Sequence, residues 1–380
     1  LTRERLSVTY LILGDTTEID FGLRRKIDDV SLVARNLGRG FLLHSGLMVY
    51  AQTSEVIGLA GQVIHYRKPA PAKENATQRL HRPRESDVWG QVVEQMGAPR
   101  GEARWIHVFD RGADNFEVFC RVLDCHGDFV IRAAQLHRKV WGNDREITLK
   151  QRLEQLPLRG TYKLQVRANK KQPARTARME VRCGTVTLKA PRQKSPWLRR
   201  RGIASLDLYV VEVREVNAPR GVTPLRWVLF TTLAATTFEQ AWQVIEYYEK
   251  RPLIEEFHKA LKTGCRVESR YYQTGRRLEA ITGLLSVVAI RLLQLRSVAR
   301  AEPERPAAEV VPPLWLATLQ QLRPRAKIVT VHHFFRQLAG LGGFLNRKSD
   351  GEPGWMTLWK GFEKLQLATR AIGQYQLKCG

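Results

Sequence analysis

Residues 248–262 read YEKRPLIEEFHKALK and fit the pattern Y-x2-R-x3-E-x6-K, with Tyr248, Arg251, Glu255 and Lys262 at the fixed places. One carboxylate among an aromatic ring, an arginine and further cations suits a metal ion that meets a phosphate backbone. Two aspartates far upstream, Asp15 and Asp110, each follow a strand-like apolar run, VTYLIL at 8–13 and WIHVF at 105–109. Mg2+ takes oxygen ligands, commonly one or two carboxylates plus substrate phosphate oxygens. Two such ions about 4 Å apart activate water or a 3′-hydroxyl and stabilise the leaving oxygen. Acids on three separate elements can hold that pair, so Asp15, Asp110 and Glu255 are expected to converge as the catalytic, metal-binding set of a nuclease or strand-transfer enzyme. Mn2+ is expected to substitute for Mg2+.

Each residue also has a plain structural reading. Asp15 before Thr16 and Thr17, and Asp110 before Arg111 and Gly112, are ordinary turn or helix-cap aspartates when taken alone. Glu255 alone is a surface glutamate, and Glu256 beside it competes for the same role. Tyr248 near a helix end reads as core, and Arg251 and Lys262 as solvated; the functional alternative is phosphate contact by the two cations with Tyr248 packed on nucleic acid. Trp227 on a strand reads as core, with base stacking as the sharper alternative.

The elements that must position these residues follow from pattern. Apolar runs at 8–13, 42–51 and 55–66 predict three early strands, a helix is predicted over 85–96, a strand over 105–109, a helix over 113–123 and a short strand over 129–132. That succession suits a mixed sheet flanked by helices, as in ribonuclease-H-like folds. From 135 to 235 short alternating runs predict a β-rich insertion with two basic clusters: Arg167, Lys170, Lys171, Arg175, Arg178 and Arg182, then Lys189, Arg192, Lys194, Arg199, Arg200 and Arg201. Together with Trp197 and Trp227 they favour a phosphate-tracking surface over solvated hairpin tips. Thr236 and Glu239 are spaced as a capping box, so a helix is predicted from there to Lys250. Pro252 lacks an N–H and should break it and open a second helix ending before Gly264. On that helix Glu255, Lys259 and Lys262 share a face. Residues 278–295 predict a longer amphipathic helix, 301–313 a linker, and 314–380 a small helical domain. The expected fold class is therefore α/β: a ribonuclease-H-like core in two parts, 1–134 and 236–300, interrupted by the β-rich insertion at 135–235 and followed by a helical C-terminal domain at 301–380.

The bulk numbers agree with a partner of opposite charge. The chain has 380 residues, a net charge of +25 and a pI near 10.3, and it is 43% hydrophobic, which excludes disorder and points to a polyanion such as nucleic acid. Its five cysteines are scattered with no CxxC, as expected of free thiols, and no Cys/His cluster shows zinc spacing. The longest apolar stretch, 281–295, is interrupted by Arg291 and reads as too short to span a bilayer. No signal peptide is visible, and a cytoplasmic location without a membrane partner is expected. The sequence opens on Leu1 and is expected to be a piece of a longer protein with an N-terminal segment missing.

At these same residues the chain resembles the bacterial DDE transposases of insertion-sequence family four, the group of the transposon-five transposase. The likeness runs through LGDTT at 13–17, VFDRGAD at 108–114, FVIR at 129–132, PLRWVLFTT at 224–232, RPLIEEFHKALKTG at 251–264, VVAIRLLQLR at 287–296 and the GGF…GW..LW.G pattern at 342–361. The resemblance implies that Asp15, Asp110 and Glu255 form the metal triad, and that Tyr248, Arg251 and Lys262 complete a signature that contacts transposon-end DNA. It adds His258, Lys259 and Arg132 as DNA contacts and puts Trp227 on a flipped base. It implies cut-and-paste chemistry: 3′-strand nicking, hairpin formation and resolution, and strand transfer into target DNA. The acting species would be a homodimer in a synaptic complex, joined through the C-terminal helical region, in the nucleoid of a bacterial cytoplasm. Pro252 stands where the nearest likeness has an aromatic, and the family's N-terminal end-recognition domain has no counterpart here. A non-catalytic DNA-binding regulator and a structure-specific nuclease are the competing expectations.

Overall fold

The computed structural model describes residues 8–379 apart from 28, 76, 77, 79–81, 83, 143, 144, 169–172 and 348, with the backbone alone from 373 onward. Lys170 and Lys171 of the first basic cluster therefore lie outside the described residues. The first strand, β1 (Thr9–Asp20), does not end at Asp15. The β-branched Thr16, Thr17 and Ile19 suit extended backbone and carry the strand five residues beyond it, so Asp15 is an interior strand residue and not a strand end.

Twelve strands follow one another among the described residues: β1, β2 (Ser31–Val33), β3 (Gly38–Tyr50), β4 (Val56–His65), β5 (Arg104–Phe109), β6 (Asp128–Arg132), β7 (Lys139–Gly142), β8 (Arg145–Thr148), β9 (Leu158–Val166), β10 (Arg175–Lys189), β11 (Ser205–Val216) and β12 (Arg226–Thr231). The chain divides into two units. The first takes Leu1–Thr16, His44–Gln52 and Ala60–Pro252, and the second takes Thr17–Leu43, Thr53–Leu59 and Leu253–Gly380.

In the first unit β1, β5 and β6 lie side by side and parallel. Strands β12, β11 and β10 continue from β6 in antiparallel register, so the insertion extends the same sheet. Strand β10 is one 15-residue strand, and Gly184 interrupts its apolar alternation without breaking the pairing with Val210. Helices α1 (Val88–Met96) and α2 (Phe116–Asp124) cover one sheet face, packing Trp89, Val92, Phe116 and Phe119 against Phe109, Phe129, Ile131 and Phe230. Short helices α3 (Leu149–Gln155) and α4 (Pro196–Arg201) complete that layer. Helix α5 (Phe238–Glu249) begins one residue later than predicted: Thr237, not Thr236, caps it, pairing with Gln240 in the capping box, while Thr236 donates its N–H and hydroxyl to Gln240 Oε1 at 2.9 Å each.

Pro252, the last residue of the first unit, opens α6 (Pro252–Lys259), which runs into a wider turn at Ala260–Gly264 in the second unit. Then come α7 (Gly275–Ala301), α8 (Ala307–Val310), α9 (Pro313–Leu322), α10 (Val331–Leu341) and α11 (Trp355–Cys379). Residues 301–313 are no free linker: α8 lies in them, Ala307 is buried, and Pro306 forms a β-bridge with Thr330. Helices α10 and α11 cross so closely that a Cβ at Gly361 would meet the Leu338 carbonyl oxygen at 1.9 Å, which accounts for a glycine there. Helix α7, 27 residues long, exceeds the predicted stretch and is apolar and long enough to cross a membrane. It buries Leu278, Leu285, Ala289, Leu292 and Leu293 within its unit, and Gln294 donates to the carbonyl oxygens of Val56 and Ile57 at 3.0 Å each. Those contacts pack one face of it into its unit.

His107 on β5 is 1% exposed. Burial pushes its imidazole down to about 3, against a smaller opposing pull from the Asp128 charge. The ring is therefore neutral in the fold and takes up a proton below about 6.5 once unfolded. Its contribution is fully present above that value and is lost as pH falls towards 3. Urea unfolding at pH 7 and pH 5 should show the native chain losing about 2 kcal/mol more than His107→Leu. Parallel losses in the two proteins would show that the buried imidazole does not set the acid sensitivity.

Candidate active site

The site is laid out by strand register. On β1 and β5 Leu13 stands opposite Val108, and on β5 and β6 Val108 stands opposite Val130. Side chains on a strand repeat with period two. Two residues further along, Asp15, Asp110 and Arg132 therefore fall on one line across three parallel strands and on one face. Gly14 points to the other face, where a Cβ would stand 2.3 Å from the Phe109 ring, so only hydrogen lets that ring lie under Asp15. Past Phe109 the chain turns, and the Gly112 N–H donates to Asp110 Oδ1 at 2.8 Å, fixing the carboxylate at the strand end.

Helix α5 brings the remaining groups. It buries Ala241, Val244 and Ile245, and its last turn delivers Tyr248. The Arg251 N–H donates to the Tyr248 carbonyl oxygen at 3.0 Å, which closes the turn before Pro252. The Arg251 guanidinium then reaches both aspartates: Nη2 lies 3.0 Å from Asp15 Oδ1 and 3.5 Å from Asp110 Oδ2. Burial pushes the Tyr248 phenol up, partly opposed by the charge of Arg132 and a hydrogen bond from it. Arg132 also donates to the Arg226 carbonyl oxygen at 3.3 Å, beside Trp227. Trp227 is half-buried opposite Val213, and its Nε1 is buried with no hydrogen-bond partner among the described residues.

A residue not singled out from the sequence braces this row. Asp114 accepts the N–H groups of Ala134 at 2.7 Å and Gln135 at 3.2 Å and pairs with Arg138 at 2.6 Å, so it pins the chain just after Arg132 to the Asp110 turn. Its position four residues after Asp110, within DRGAD, was the available signal.

The second unit holds the other candidates. Glu255 is exposed in the first turn of α6. Its neighbour Glu256 is committed elsewhere: its carboxylate binds Lys259 at 2.8 Å, Arg296, and the Trp355 indole at 3.3 Å. Burial opposes ionisation of Glu256, but the hydrogen bonds from Lys259 and Arg296 outweigh it and hold the carboxyl at about 2. Lys262 donates to the Glu18 carbonyl oxygen at 2.8 Å and pairs with Glu268 at 3.1 Å. His258 is 6% exposed on the inner face of α6, leaving little ring surface to offer a ligand. The structure thus gathers Asp15, Asp110, Arg132, Tyr248 and Arg251 in one unit, with Trp227 on the adjoining strand. Among the described residues no group of three or more His, Cys, Asp and Glu side chains is drawn together tightly enough to hold a metal.

The donor set nevertheless fits a hard cation. Two carboxylates from neighbouring strands already share one positive group, and the guanidinium stands in for the charge a divalent ion would bring. Residues 66–290 match the family described as the transposase DDE domain, and residues 287–375 match the transposase Tn5 dimerisation domain. Among solved structures, a piggyBac transposase synaptic complex with hairpin DNA is similar at 10% identity and a TM-score of 0.35, over 90% of this chain and 55% of that one. The chain thus spans about half the length of that structure's chain.

Arg251 should compete with divalent cations for the aspartates. In thermal unfolding without DNA, Arg251→Gln should melt lower than the native chain in EDTA, by about 1–3 kcal/mol of stability. Added Mn2+ should stabilise the variant more than the native chain. A smaller Mn2+ effect in Arg251→Gln would mean that the guanidinium does not occupy the cation's place.

Proposed function

The chain belongs to the transposase DDE domain family, and on that premise we propose that it is a metal-dependent DNA transposase of the cut-and-paste kind. The observation that carries the proposal is the line of Asp15, Asp110 and Arg132 across parallel strands, with two carboxylates closed on one cation. In this reading the sheet of the first unit is a ribonuclease-H-like core. Asp15, Asp110 and Glu255, the last four residues after Arg251 in the chain, are the acids that hold two Mg2+ ions, with Mn2+ able to replace them. The bound ions supply Lewis-acid charge to the attacking and leaving oxygens.

The chain's own side chains do the rest. Arg251 keeps the paired aspartates neutralised until the ions arrive and is then released to a DNA phosphate. Arg132 and Tyr248 lie beside that phosphate, the phenol kept protonated by its burial. Trp227 carries a half-buried ring and a donor without a partner, features suited to stacking on a base turned out of the duplex. Lys259 and Lys262 extend the phosphate contacts from α6 and the turn that follows it. The ordered steps are 3′-strand nicking, attack of the new 3′-hydroxyl on the opposite strand to give a hairpin, hairpin opening and strand transfer. The helical region at 301–380 joins two protomers on paired ends, in keeping with the dimerisation-domain match. The site of action is the bacterial nucleoid.

The full chain, end-bearing duplex and Mg2+ should yield nicked, hairpin and joined products on a denaturing gel. Asp110→Ala should lower nicking at least about 100-fold while duplex binding survives. Trp227→Ala should nick normally and form few hairpins. Persistent nicking by the first variant would remove Asp110 from the metal set, and a normal hairpin yield from the second would remove Trp227 from the flipped base.

A further inference from the structure

The second basic cluster is not one surface. Three of its cations serve the fold of the first unit. Lys194 donates to the Ile203 carbonyl oxygen at 3.0 Å, and Arg201 binds Asp124 at 2.6 Å. Lys189 lies 4.1 Å from the Trp141 ring centroid and 3.9 Å from Glu146. The others, Arg192, Arg199 and Arg200, are exposed and have no acidic partner among the described residues.

The segment that carries them is held firmly. Ser195 caps α4 and donates to Glu117 Oε2 at 2.6 Å. The Trp197 ring packs against the guanidinium groups of Arg121 at 4.7 Å and Arg201 at 5.0 Å. Leu198 is buried in the core. Glu117 and Asp124, the acids beside this strap on α2, are thus used in fixing it. The three exposed arginines thus stand on a held backbone with no acid to neutralise them, and their charge is available to phosphates.

The strap also leads back to the reacting acids. A cleft of about 500 Å³ is lined by Arg111, Asp114, Asn115, Arg138, Lys189 and Pro191, with Arg138 already paired to Asp114. Arg111 directly follows Asp110, and Arg192 directly follows Pro191. The cleft therefore joins the Asp110 turn to the strap, around the end of β5 and onto the sheet face opposite the aspartates.

We propose that the strap at 191–201, with the cleft beside it, is a second DNA-backbone surface that grips duplex lying beyond the cleaved phosphate. The inference rests on the DNA reading above. It adds that the duplex turns past the ends of β5 and β6 to a face remote from the chemistry.

The test measures binding of the full chain in EDTA to a long labelled duplex of arbitrary sequence, by anisotropy across a salt series. Each lost phosphate contact should make log K against log salt about 0.9 shallower. Replacing Arg192, Arg199 and Arg200 together by Ala should flatten the slope by about 2–3 and weaken low-salt binding about 10- to 100-fold. The triple Lys replacement should bind like the native chain, which separates lost charge from lost fold. A short duplex ending at the cleaved phosphate should be nicked equally by native and Ala-substituted chains in Mg2+. Native slope and affinity in the Ala variant would overturn the strap proposal alone. Failure of the native chain to bind any duplex would overturn the DNA reading with it.

Discussion

Two carboxylates set on neighbouring parallel strands repel each other, and the fold must answer that repulsion. Strand spacing is about 4.8 Å; at an effective dielectric near 20, two unit charges that far apart cost roughly 3 kcal/mol. The register that aligns Asp15 with Asp110 creates the cost, and the Arg251 guanidinium offsets it. Much of the first unit serves this contact. Gly14 admits the Phe109 ring beneath the acids, the Gly112 N–H fixes the Asp110 carboxylate, and Asp114 ties the Asp110 turn to the end of β6. Helix α5, stopped by Pro252, presents Arg251 at the level of the row. A site that carries its own cation needs no metal to neutralise its acids, and in the proposed function metal entry would exchange one positive group for another.

The same logic distributes the net charge of +25. In the β-rich insertion, arginines are locked to acids across strands: Arg175 to Glu215 at 2.8 Å, Arg226 to Glu212 at 2.7 Å, Arg214 to Glu180 at 3.0 Å. Of these only Arg175–Glu215 is buried on both sides, and breaking that pair is costly because it strands a charge. These cations hold the long strands β10, β11 and β12 in register, and the capacity to bind a polyanion falls to the smaller set left without acids. Counting Lys and Arg overstates the binding surface; following each to its partner corrects it.

What the sequence disclosed was mostly local. Pro252 fixes a helix start through its missing N–H, apolar alternation locates β5, β6 and β11, and the spacing of Tyr248 and Arg251 puts both at the end of α5. Competition between neighbours was hidden. Glu255 and Glu256 are indistinguishable until Arg296 and Trp355, forty and ninety-nine residues away, claim the second. Lys262 reads as a solvated or phosphate-binding lysine until it meets Glu18 and Glu268. The role of Arg251 as counter-ion depends on a register between strands 95 residues apart in sequence, and nothing near residue 251 encodes that register. The run of β1 past Asp15 was legible in Thr16 and Thr17, but the Gly-Asp pair before them has the look of a turn.

The most direct measurement is an anomalous difference map from crystals of the full chain bound to end-bearing DNA and soaked in Mn2+. The account predicts manganese within ligand distance of both Asp15 and Asp110, with the Arg251 side chain withdrawn from them. Manganese bound elsewhere, with Arg251 still joined to both aspartates, would contradict it.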